Sequence, residues 1–92
     1  MIVRIMGEGQ WTVAESNLDV LNALDSQVVS AVEDHDEEAL GGALAALLGK
    51  VREVGTSLPD DAQEASDLVL PSSDASLDEV REKLSDSGLI AG

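Results

Sequence analysis

Two runs of aliphatic residues at helical spacing, separated by Asp34-His35-Asp36, restrict the folds open to this chain more than any other feature. In the first run Leu18, Leu21, Leu24, Val28 and Val32 recur at steps of three and four, which places them on one face of a helix from about Asn17 to Glu33. Ser16 stands where an N-cap is needed. In the second run Leu40, Leu44, Leu47, Leu48, Val51 and Val54 form the stripe, while Ala39, Ala43 and Ala46 are small enough to let a neighbour approach. Asp36 is positioned to cap this helix, Glu37 and Glu38 lie at its positive end, and Lys50 and Arg52 lie near its negative end. Gly55 occupies the position after the last turn, where a left-handed residue is common. A link this short makes the pair an antiparallel helical hairpin.

The rest of the chain supplies material to cover that hairpin. Ile2, Val3, Ile5 and Met6 read as a strand, Gln10 to Val13 as a second, and Gly7-Glu8-Gly9 as the turn between them. Two strands alone are marginal in water, so a third strand or a covering of helices is expected. Asp67-Leu68-Val69-Leu70-Pro71 fits, because Pro71 pushes its predecessor out of the helical region and confines the segment to a sheet edge. Before it, the chain from Thr56 to Ser66 is polar, with a turn at Leu58-Pro59-Asp60-Asp61. After it, Ser76 and Glu79 form a capping box for a short helix carrying Leu77, Val80 and Leu84, with Gly88 as its stop and Leu89-Ile90 as an apolar tail. Phe and Tyr are absent and Trp11 is the one aromatic residue, so the core must be aliphatic. With 92 residues there is room for one such core. The expectation is a single α+β domain spanning residues 1–92: an N-terminal β-hairpin with a short extra edge strand, packed on an antiparallel helical hairpin plus a short C-terminal helix.

Charge narrows the partners. Nineteen acidic residues against five Lys or Arg give a net charge of −14, and the five cations are scattered. Such a field repels nucleic-acid phosphates and anionic lipid headgroups. It suits solubility, a basic partner, or a salt-rich cytoplasm in which self-repulsion is screened. The absence of cysteine removes disulfides, thiolate chemistry and Cys-based metal sites. No secretory h-region opens the chain and no apolar run nears the roughly 20 residues that span a bilayer, so a cytoplasmic protein is expected.

Candidate sites are few. Gly7 and Gly9 lack the third glycine of a dinucleotide loop and the Lys and Ser/Thr of a P-loop, so a turn requiring positive φ explains them better than a phosphate site. His35 sits among Asp34, Asp36, Glu37 and Glu38, but consecutive residues seldom converge on one ion and helix-start acidity accounts for the cluster. No carboxylate pair is singled out by spacing, and one histidine with no nucleophile elbow gives catalysis no support; no cofactor, metal or catalytic residue is expected. What remains is contact chemistry. Trp11, Leu68, Leu70, Leu89 and Ile90 lie outside the helical stripes and are candidate partner-binding residues, although core placement explains Trp11, the 68–70 segment and Leu89-Ile90 as well.

The order of these pieces is similar to a known family. "MIVRIMGEGQW", the passage "LDVLNALDSQVVSAVEDHDEEAL", "LPDD" and the ending "SDLVLPSSDASLDEVREKLSDSGLIAG" together resemble the small PspA-associated proteins called PspAA, over nearly the whole chain. The resemblance implies a non-enzymatic accessory or regulator of the phage-shock membrane-stress response, acting by contact with a PspA-family coiled-coil protein. It implies no catalytic residues. Any membrane association would come through that partner. Two other readings stand beside it: a small-ligand or anion-sensing domain using the Gly7-Glu8-Gly9 turn, and a self-assembling structural subunit.

Overall fold

The computed structural model describes residues 1–59 and 65–83. Strands β1 (Ile2–Ile5) and β2 (Gly9–Thr12) form the expected hairpin, with Val3 opposite Trp11 and Ile5 opposite Gly9. Its turn is closed by the Glu8 N–H donating to the Ile5 carbonyl at 3.0 Å, with Gly7 at φ 83 in the third position, the type II pattern. Gly9 follows at φ 138, which side chains rarely adopt.

Helices α1 (Leu18–Glu33) and α2 (Glu37–Val54) follow. A 3-10 turn, Glu15–Asn17, leads into α1 and takes Ser16 into its interior, so Ser16 is not the N-cap. The Asn17 N–H donates to the Ala14 carbonyl at 3.0 Å, a backbone bond in place of a side-chain cap. At the other end α1 closes in a Schellman motif: the Asp36 N–H reaches the Ala31 carbonyl at 3.0 Å and the His35 N–H reaches Val32 at 3.1 Å. His35 takes the left-handed conformation, φ 54, usually given to glycine. Asp36 then caps α2 as expected, its Oδ1 accepting from the Ala39 N–H at 3.0 Å.

Gly55 departs from its expected role. Its φ is −91 and ψ 163, extended and not left-handed, and the chain runs directly into β3 (Thr56–Ser57). This two-residue strand, inside a stretch read as polar turn, pairs antiparallel with β2. The extended segment before Pro71 is β4 (Leu68–Leu70), parallel to β1, so among the described residues the sheet has four strands in the order β3-β2-β1-β4. Among the described residues β4 is an edge strand, in keeping with the proline that follows it. Helix α3 (Leu77–Lys83) begins with the Glu79 N–H donating to Ser76 Oγ at 3.2 Å. Asp60, Asp61, Leu84, Gly88, Leu89 and Ile90 lie outside the described residues.

The fold class is the expected one, α+β. One face of the sheet carries Val3, Ile5 and Leu70, all fully buried with Val13 against Leu21, Val28 and Val32 of α1 and Leu40, Leu44, Leu47, Leu48 and Val51 of α2. Val80 of α3 completes this cluster. Burying a residue of this kind stabilises the fold by about 1.5–3 kcal/mol, so the aliphatic set replaces the missing aromatics by number. Of the three alanines expected to admit a neighbour, only Ala43 is buried; Ala39 and Ala46 face outward. Two buried polar residues were not anticipated. Asp25 is 3% exposed, on the stripe between Leu21 and Val28, and Gln10 is 7% exposed on the outer face of the sheet, its Nε2 donating to Ser66 Oγ at 2.8 Å.

Candidate functional site

The register of the sheet decides what the candidate contact residues can present. Trp11 is directly opposite Val3 and therefore on the core face, where it is partly buried against the cluster. Leu68 and Leu70 pair with Val3 and Ile5, on the same face; Leu70 is fully buried and Leu68 partly so. Their side chains belong to the core, and what the segment offers outward is the backbone edge of β4 and the exposed Val69. Leu89 and Ile90 lie outside the described residues.

Parallel pairing has a second effect. Because β4 runs alongside β1 in the same direction, their C-terminal ends are neighbours, and the Met6 N–H donates to the Leu70 carbonyl at 3.0 Å. Beyond that bond the two chains part, one into the hairpin turn and the other towards α3. An open groove of about 510 Å³ lies between them, lined by Met6, Gly7, Glu8, Ser72, Ser73 and Asp74. Sequence reasoning missed it, because its walls are more than sixty positions apart and only the register of β4 joins them.

Glu8 is fixed within this groove by Arg52 of α2. The guanidinium approaches both carboxylate oxygens, Nε donating to Oε1 at 2.8 Å and Nη2 bonding Oε2. Hydrogen bonding from Arg52 is the largest influence on the Glu8 carboxyl and holds it below its ordinary value; the same bond raises the Arg52 value. A carboxylate at the tip of the turn is the reverse of what an anion site requires. Because the folded-state value is the lower one, this pair stabilises the fold above the ordinary glutamate range and is lost as pH falls through the folded value. Glu8→Gln is therefore expected to cost up to about 1 kcal/mol at neutral pH, the range for exposed pairs. Urea midpoints should show the gap from the parent chain closing below about pH 4.

His35 is exposed at the helical corner, where its Nδ1 lies 2.8 Å from an Arg81 guanidinium nitrogen of α3. Among the described residues no group of three His, Asp or Glu side chains is arranged to hold a metal ion. No described helix is long and apolar enough to cross a membrane.

The outward side of α2 is uncharged from Ala39 to Gly49, and Gly41, Gly42, Ala45 and Ala46 are exposed on it. A Cβ built at Gly41 or Gly42 would meet nothing within 4 Å among the described residues, so no described contact requires either glycine. Each weakens the helix by about 0.5–1 kcal/mol relative to alanine. The double variant G41A/G42A should gain about 1–2 kcal/mol, with a thermal midpoint higher by roughly 4–8 °C per kcal/mol. An unchanged or lower midpoint would count against this account of the helix surface.

A family model described as PspAA, PspA-Associated protein, matches residues 1–92. No curated protein and no solved structure matches the chain.

Proposed function

The chain belongs to the PspA-associated protein family, and from that membership we propose that it is a non-enzymatic accessory and regulatory module of the phage-shock membrane-stress response, acting by binding a PspA-family coiled-coil protein. The family match over all 92 residues is the observation that carries this reading. The surface chemistry supports it. Catalysis needs a positioned acid, base or nucleophile in a sheltered setting, whereas Asp36 and Ser76 serve as helix caps, Ser72 and Asp74 tie a turn, and Glu8 and Arg52 form a surface pair. An exposed, uncharged helical side on α2 and the edge of β4, which no other described strand pairs with, are surfaces on which a helical or extended partner segment can lie. In this reading Leu68 to Leu70 contribute backbone at that edge. Trp11, Leu89 and Ile90 are the other contacts proposed from the sequence.

The proposed location is cytoplasmic, with any attachment to the inner face of the membrane made through the partner. A net charge of −14 disfavours direct adsorption to anionic lipid. The test is co-purification of the chain with the PspA-family protein of the same cell, at the salt concentration of its cytoplasm, followed by flotation on anionic vesicles. A stable complex, and flotation of the chain with that partner and not alone, is the expected result. Absence of any complex would sink the proposal.

A further inference from the structure

We propose that the groove between the hairpin turn and the 72–74 loop receives an arginine or lysine side chain of a partner protein; this rests on the reading of the chain as an interaction module and names one of its contacts. Among the described lining residues the polar groups are acceptors: the carboxylates of Glu8, which already carries the Arg52 guanidinium, and of Asp74, the hydroxyls of Ser72 and Ser73, and the bare backbone of Gly7. Met6 is the sixth, and at 45% exposure it is the most exposed large apolar side chain among the described residues. A thioether beside two carboxylates matches a guest with an apolar stem and a cationic head. Arg and Lys are such guests, since their methylenes lie along apolar surface while the charged end reaches polar groups.

The carboxylates are already oriented. Arg52 holds both oxygens of Glu8, and Ser72 Oγ donates to Oδ1 of Asp74 at 2.6 Å. Neither carboxylate is saturated by these bonds, because each oxygen has two lone pairs, so a second guanidinium or an ammonium can add to the first. Anions are disfavoured by both groove carboxylates and by the charge of the whole chain, which also steers basic surfaces towards it. An inorganic cation would need a third ligand-bearing side chain, and no cluster of three is present among the described residues.

Two measurements test the proposal. In the first, N-acetyl-argininamide is titrated into the ¹⁵N-labelled chain, with the uncharged citrulline analogue as control. Amide shifts should concentrate on residues 6–8 and 72–74, and Asp74→Lys should remove them. Glu82→Lys, an equal charge change on the exposed end of α3, should leave them in place. Shifts spread over the acidic surface, or equal responses of the two variants, overturn the proposal. In the second, affinity for the PspA-family partner should fall about tenfold or more in Asp74→Lys and by less than about threefold in Glu82→Lys. Equal losses overturn the assignment of this groove. No complex with the parent chain overturns the functional reading itself, while the argininamide map still decides whether the groove takes a guanidinium.

Discussion

Gly55→Ala is expected to destabilise the chain by about 2–3 kcal/mol, the cost of forcing an atom into a filled position. The thermal midpoint should then drop by roughly 10–20 °C. The cause is contact and not backbone conformation, since φ −91 and ψ 163 are open to any residue. An added Cβ would lie 2.6 Å from the Val51 carbonyl oxygen, 3.0 Å from Trp11 Cβ and 3.2 Å from Val13 Cγ2. The first of these is backbone, tied to Gly55 itself by the N–H that donates to the same oxygen at 2.8 Å, so it cannot swing aside. The other two belong to the strand that β3 must pair with and to the core residue just after it. Relieving the contact means moving the end of α2 away from the sheet. The same substitution at Gly41 and Gly42, where no described atom is within 4 Å, has the opposite expected sign. Circular-dichroism melts of these alanine variants therefore separate helix propensity from crowding, and a Gly55→Ala midpoint equal to that of the parent chain would refute a tight α2–β3 junction.

That glycine also marks where reading the sequence stops working. The helical stripes were legible because burial of one face imposes a period, and all of Leu21, Val28, Val32, Leu40, Leu44, Leu47, Leu48 and Val51 are buried. Asp36 was legible because a cap acts on its own next three residues. The β-hairpin followed from Gly7 and Gly9, whose φ of 83 and 138 only glycine adopts readily. Gly55 was placed correctly at the end of α2 but for the wrong reason: the Val51 carbonyl oxygen excludes a side chain from within the helix end, and the other two excluding atoms come from Trp11 and Val13, more than forty positions away. Strand β3 has two residues, too few for any alternation to show. His35 in the left-handed position gave no signal, since glycine is the usual mark of such a site. Asp25 hid for another reason: it sits at i+4 from Leu21 and i−3 from Val28, so the period pointed inward while its chemistry pointed outward. The groove was wholly invisible, being the product of a parallel pairing that local pattern does not encode.

Stability is expected to rise steeply with salt, by on the order of 2 kcal/mol or more between about 0.1 M and 1 M KCl, over which the screening length falls from about 10 Å to about 3 Å. The charge that drives this is unevenly placed. Glu8 and Glu53 have ion-pair partners, whereas at the α1–α2 corner Glu33, Asp34, Glu37 and Glu38 are exposed and none is ion-paired among the described residues. Glu37 and Glu38 gain from the positive end of α2, but Glu33 and Asp34 stand at the negative end of α1 and are opposed by both the helix dipole and their neighbours. Glu33→Lys should therefore stabilise the chain by about 0.5–1 kcal/mol at low salt. Its advantage should vanish as salt is raised, because screening removes the same repulsion that the substitution removes. This convergence distinguishes screening from a general salting-out of apolar surface, which would raise both chains in parallel and continue through the molar range. Urea midpoints of the two proteins across a KCl series decide it: converging curves that level off near 1 M support self-repulsion as the main electrostatic cost of the fold, and parallel, still-rising curves refute it.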